Sequence, residues 1–147
     1  MTFRTHVTDV EELACELERA GIYGHGGAYF PTWVKLRAVA TQGHRPVVVV
    51  NGAEGEPLSR KDRFVLRRWA GAMLGGALAV AEALCAKRIM VAIDHRDQAA
   101  ARAVSAAVAR LSDTRRNSPA VELVPVRAAY VIGQETALIS YLQGACW

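Results

Sequence analysis

Between Gly21 and Leu36 the chain reads GIYGHGGAYFPTWVKL, a stretch in which glycines, aromatic residues and Lys35 are crowded together. Glycines without a Cβ let a backbone come close to a planar ring or an anion and turn N–H groups toward it. Lys35 can neutralise a phosphate, or the negative charge that gathers on a reduced ring, and Phe30 can stack on an aromatic partner. Gly24, Gly26, Gly27, Phe30 and Lys35 are thus the parts of a cofactor cradle.

Two further stretches carry usable polar groups. NGAEGEPLSRKDR, starting at Asn51, offers Asn51, Glu54 and Glu56, and AAYVIGQETAL, starting at Ala128, offers Tyr130, Gly133, Gln134, Glu135 and Thr136. The Asn51 amide can both donate and accept at the edge of a ring. Glu135 opens a helix, where a carboxylate can serve a ligand or simply answer the helix dipole. Each stretch begins as an apolar run ends, and open α/β sheets bind ligands outside the carboxyl ends of their strands. Three polar, glycine-containing loops at one sheet edge read as a cofactor site.

Other chemistries fit less well. A dinucleotide fingerprint needs G-x-G-x-x-G directly after a strand, whereas here a helix precedes the loop and Tyr29 occupies the last glycine's place. HGGAYF resembles an esterase oxyanion loop, but none of Ser59, Ser105, Ser112, Ser118 and Ser140 lies in G-x-S-x-G. DHRD at Asp94–Asp97 matches part of a kinase catalytic loop, yet Arg102 stands where its asparagine is needed. His6, His25, His44 and His95 lack ligand spacing, and Cys15, Cys85 and Cys146 are too scattered for a metal knuckle or a disulfide framework. No metal site is expected. The thiols read as reduced and structural, with Cys85 slow to label.

The elements that position these loops follow from periodicity. TDVEELACELERAG has Thr8 as N-cap and Gly21 as stop of an amphipathic helix. Pro31 suits a first helical turn, and TWVKLRAVA runs as a helix to about Thr41. Segments 46–51, 87–93 and 120–126 are built on apolar runs without strict alternation, the mark of parallel strands buried on both faces. Ser59 and Asp62 form a capping pair for one long helix ending near Ala86, DQAAARAVSAAVARL is a further helix, and ETALISYLQG is the last. Alternating strands and helices predict a three-layer, Rossmann-like α/β domain with a mainly parallel sheet flanked by helices, a single domain over residues 1–147.

The chain has 147 residues, 52% of them hydrophobic and 22% charged, with a formal net charge of +4. These values describe a folded chain with a real core. The basic stretch SRKDRFVLRR has no interleaved aromatic pattern or binding module that would indicate nucleic acid, and reads as a solvated helix face. The longest apolar run, Ala70–Ala86, contains Glu82 and falls short of the ~20 residues a membrane span needs, so no direct membrane insertion is expected. The N-terminus carries no apolar signal core, and the expected location is the cytoplasm.

In register, GHGGAYFPTWVK, NGAEGEPLSRKDR and YVIGQETAL resemble the G-R-G-G-A-G-F-P-T-G-x-K, N-A-D-E-G-E-P…K-D-R and Y-x-x-G-E-E-T-A-L motifs of the 51-kDa-type flavoprotein subunit of respiratory complex I. FPTWVKL and NGAE resemble more closely the related C subunit of Rnf-type complexes. The resemblance implies an FMN-binding domain of an NADH dehydrogenase: flavin mononucleotide held by the glycine loop, NADH stacked against it, hydride passing between them, and electrons going on to an iron–sulfur subunit or domain. It also implies a place peripheral to a membrane complex. His25, Tyr29, Trp33, Ala53 and Gln134 stand where the family has Arg, Gly, Gly, Asp and Glu. Tyr29 and Trp33 are expected to narrow the nicotinamide pocket, and the loss of two carboxylates to ease flavin reduction. The family's β-grasp and four-cysteine iron–sulfur segments have no counterpart in this sequence, so no iron–sulfur cluster is expected in this chain. The same departures keep a second class open, an assembly module that retains the fold without the cofactor.

Overall fold

The computed structural model describes residues 9–24, 29–55, 58–114, 118–127 and 135–144, without the side chains of 112–114 and 135. Ile89, Val91 and Ala92 are wholly shielded from solvent, and every residue from Ile89 to Asp94 is buried, so Arg88–Asp94 (β2) forms the centre of its sheet. It is flanked by Val47–Gly52 (β1) and Ala120–Val126 (β3), in the order β1-β2-β3. The three strands are parallel in an open sheet with helices on both sides, the α/β class that the apolar runs predicted. β1 and β3 are only partly buried. As a sheet edge, β3 tolerates Pro125, which cannot donate to a ladder.

The helices are Val10–Arg19 (α1), Thr32–Ala40 (α2), Lys61–Arg68 (α3), Ala70–Ala83 (α4), Gln98–Thr114 (α5) and Glu135–Leu142 (α6). The contacts divide the chain into two compact units. In the first, α1 and α2 pack through Leu13, Ala14, Trp33 and Leu36, joined by Ala83. Glu11 and Arg37 link the same two helices, the Arg37 Nε lying 3.1 Å from both Glu11 carboxylate oxygens. In the second, Ala53, Ala92, Val126 and Leu138 form the core that gathers the strand ends and α6.

Three local expectations need correction. Asp9 caps α1, its Oδ1 accepting the Glu11 N–H at 3.3 Å; Thr8, the expected cap, lies outside the described residues. The single helix expected from Ser59 to Ala86 is two helices, bent by 94° at Trp69. α3 is basic and buries Leu66 alone, whereas α4 buries Leu74, Leu78 and Ala81, so the two segments need different surroundings and cannot share an axis. Finally, Cys85 is exposed. It ends the α4 segment at φ +49, with the Ala86 N–H bonded to the Ala81 carbonyl and its own N–H to that of Glu82. This left-handed turn is usually made by glycine, as at Gly21 after α1, where the Ile22 and Gly21 N–H groups return to Leu17 and Glu18 at φ +62.

Candidate functional site

The glycine loop is closed at its base by backbone pairing. Tyr23 and Pro31 form an antiparallel bridge, the Gly24 N–H donates to the Phe30 carbonyl at 2.9 Å, and the Thr32 N–H donates to that of Ile22 at 3.1 Å. Gly24 therefore shapes the loop without offering its own N–H to a ligand. Gly26 and Gly27 lie outside the described residues. A Cβ on Gly24 would sit 3.4 Å from the Phe30 carbonyl oxygen and 3.8 Å from the Lys35 Nζ, so the ammonium stands on the side of Gly24 where a side chain would be. The same Nζ is 5.9 Å from the centroid of the Phe30 ring, which is 45% exposed. Among the described residues no carboxylate forms an ion pair with Lys35. Pro31 supplies no side-chain cap to α2, which leaves the positive end of that helix beside the lysine.

The two bulky departures from the family pattern behave differently. Tyr29 has φ +45 and is 68% exposed, which gives the family's glycine at this place a conformational reason. Trp33 points the other way. It is 9% exposed, packs into the α1–α2 core and meets Tyr23 edge-on at 5.1 Å, so it cannot narrow a pocket on the loop side.

In the second unit, the end of β1 is shaped by close approach. A Cβ on Gly52 would lie 2.6 Å from Leu66 Cδ1 and 2.8 Å from the Ala92 carbonyl oxygen. Only glycine lets the strand run this near its neighbour. The Asn51 Oδ1 accepts the Ala53 N–H at 3.2 Å, which turns the chain out of β1. Glu54 follows, and its Oε2 accepts the N–H groups of Asp62 at 3.1 Å and Arg63 at 3.4 Å. The free N–H groups of α3 are thus served from a distance by Glu54, not by the expected Ser59–Asp62 pair. Burial opposes the charged form of Glu54, yet the Ser59 hydroxyl, those two N–H groups and Lys61 hold its carboxyl below the usual range. Glu56 lies outside the described residues.

Sequence reasoning set DHRD aside as coincidence, and the structure gives it a role. Asp94, 6% exposed, ends β2 and accepts from the Arg96 N–H at 3.0 Å and from its guanidinium at 3.2 Å. The backbone N–H of His95 reaches the Val126 carbonyl at 2.9 Å, tying the ends of β2 and β3. Asp97 caps α5 by accepting the Ala100 N–H at 3.0 Å, and binds Arg67 of α3 at 2.8 Å and Arg63 at 3.3 Å. Burial opposes ionisation of Asp94 and Asp97, but these arginines and N–H groups outweigh it and lower both carboxyls. The missed signal was an aspartate directly before an alanine-rich helix, a cap position.

Beyond β3, Tyr130, Gly133 and Gln134 lie outside the described residues. Glu135 is the first residue of α6, Thr136 is exposed, and Ala137 and Leu138 turn inward, Leu138 reaching the core of the second unit. The structure thus brings Gly24, Phe30 and Lys35 together in the first unit. In the second it brings Asn51 and Glu54 to the end of β1.

The family model of the Nuo51 FMN-binding domain matches residues 17–147. The C subunit of the ion-translocating oxidoreductase complex of Rhodobacter capsulatus is 33% identical over 91% of this chain and 24% of its own length. Its Pseudomonas aeruginosa counterpart is 34% identical over 87% of this chain and 15% of its own. Among solved structures, NAD+-reducing [NiFe]-hydrogenase in the H2-reduced state superposes with a TM-score of 0.83 at 30% identity, over 92% of this chain and 24% of that one. The chain therefore spans a quarter or less of these relatives.

Proposed function

The chain belongs to the family of the Nuo51 FMN-binding domain, and from that premise we propose that it holds FMN on its glycine loop as part of an NADH-oxidising assembly. One observation carries this reading: Lys35 Nζ stands 3.8 Å from where a Gly24 Cβ would be, near the start of α2, which no side chain caps, in a space that a larger residue would enter. A dianionic phosphate answers both the ammonium and the helix end. The exposed Phe30 ring beside it suits an aromatic cofactor. The residues present therefore fit FMN. When bound, FMN would supply the acceptor for a hydride from NADH and the donor for onward transfer to an iron–sulfur subunit or domain.

In this reading Lys35 neutralises the phosphate, the closed base of the loop fixes the height of its backbone, and Asn51 and Glu54 set the polar rim that follows β1. Gly26, Gly27, Glu56, Tyr130, Gly133, Gln134 and Thr136 complete the cofactor contacts, and Glu135 acts on the nicotinamide or the flavin edge. The proposed setting is the cytoplasmic face of a larger redox complex, with residues 1–147 serving as one FMN- and NADH-binding domain.

Quenching of flavin fluorescence tests the assignment. FMN should bind saturably, and Lys35→Ala should weaken it about tenfold, the effect of about 1.4 kcal/mol. Riboflavin, which lacks the phosphate, should bind the two proteins alike. Equal loss for both flavins would place Lys35 outside the phosphate contact. No binding at excess FMN would leave the assembly-module reading in its place.

A further inference from the structure

Helix α3 is fastened along one side and bare along the other. Leu66 is 3% exposed, Arg63 and Arg67 are drawn to Asp97, and Glu54 holds the helix start. These ties fix the rotation of the helix about its axis. The face left outward carries Phe64 at 56% exposure and Val65 at 41%; Trp69, 59% exposed, follows the helix at the bend, and Leu58, 97% exposed, precedes it. Lys61 lies three and four residues from Phe64 and Val65, and Arg68 four and three, so cations and apolar groups share a single stripe. Arg60 and Arg68 are exposed, and among the described residues neither forms an ion pair with an acid. The neighbouring acids are already engaged: Glu54 accepts N–H groups of α3, and Asp62 binds Lys61 at 2.6 Å.

We propose that this surface, Phe64, Val65 and Arg68 of α3 with Leu58 and Arg60 ahead of the helix and Trp69 behind it, docks an acidic amphipathic helix of a partner protein. Single exposed apolar residues are ordinary, but four large ones within twelve residues, on and beside a helix held in one orientation, mark an interaction surface. Trp and Arg are also the residues that most often dominate interface energies. The charge selects the occupant. An incoming helix needs carboxylates to meet Arg60 and Arg68, and apolar side chains to cover Phe64 and Trp69. A second copy of this chain would set those cations against themselves. A lipid surface fits poorly because the cations lie within the apolar row instead of flanking it, so burying Phe64 and Val65 would drag Lys61 and Arg68 below the headgroups. The inference stands apart from the flavin assignment, since it uses no residue of the cradle.

The test uses the full chain and an 18-residue amphipathic peptide with leucines on one face and glutamates along its borders. Controls are the same peptide with lysine for glutamate, vesicles containing anionic phosphatidylglycerol, and single-stranded RNA. The acidic peptide should bind with a blue shift of tryptophan emission and weaken as salt rises. Arg68→Glu and Trp69→Ser should each reduce its affinity at least tenfold, while leaving the circular dichroism spectrum and melting temperature unchanged. Arg102→Glu, an equal charge change on α5, should have no effect. The proposal is overturned if the lysine peptide binds equally well, if vesicles or RNA bind more tightly than the acidic peptide, if Arg102→Glu matches Arg68→Glu, or if the acidic peptide fails to bind.

Discussion

At the scale of single residues, three substitutions separate shape from chemistry. Gly52→Ala would push a methyl group against the Ala92 carbonyl oxygen, 2.8 Å from its ideal position. Overpacking against backbone costs typically ~1–3 kcal/mol, so urea unfolding should show that loss. Cys85→Gly should act in the opposite sense. A side chain at φ +49 is strained, and glycine should add about 1 kcal/mol of stability, read as a higher melting temperature. Because Cys85 is exposed, native-state maleimide labelling should modify it rapidly, contrary to the slow labelling expected of a helix thiol. Glu135→Gln tests chemistry. If the carboxylate serves the nicotinamide or the flavin edge, stopped-flow reduction by NADH should change about tenfold with the melting temperature nearly constant. A helix-end charge alone would leave the rate unchanged and lower stability by at most ~1 kcal/mol.

At the scale of elements, Asp97 is the joint between α3 and α5. Asp97→Ala removes the cap of α5 and both arginine contacts together. The arginines are 41% and 43% exposed and can return to water, so the loss should be about 2 kcal/mol, not the larger penalty of stranding a buried charge. Chemical denaturation of the variant beside wild type measures it. The strands were legible in the sequence to within a residue, since short β-branched apolar runs bounded by turn residues have few other readings. The bend at Trp69 was not, because no proline interrupts the segment and Gly71, inside the first turn of α4, is compatible with an unbroken helix. Gly24, Phe30 and Lys35, singled out from residue type and spacing, are neighbours in the structure. What the sequence could not reveal was that Gly24 donates its N–H within the loop, that Trp33 faces a core, and that Glu54 serves the start of α3. Those depend on partners chosen by tertiary packing, which residue type alone does not specify.

At the scale of the whole molecule, Asp94, Asp97 and Glu54 set the response to acid. All three titrate below their ordinary values in the folded chain. The unfolded chain therefore binds protons first as the pH falls. The stability these carboxylates contribute is complete above the unfolded values, about 3.9 for Asp and 4.3 for Glu, and is lost as the pH drops through the lower folded ones. Melting temperatures should be nearly level above about pH 6 and should fall steeply below about pH 4. Asp97→Asn should flatten part of that fall. A further consequence follows from the closed base of the glycine loop. Because the bonds from Gly24 to Phe30 and from Thr32 to Ile22 already hold its two ends, the entropy of closing the loop is met by the scaffold whatever lies between. The ends that the fold needs are pinned apart from any ligand, so exchanging His25 for arginine should retune flavin affinity and leave the unfolding midpoint where it was.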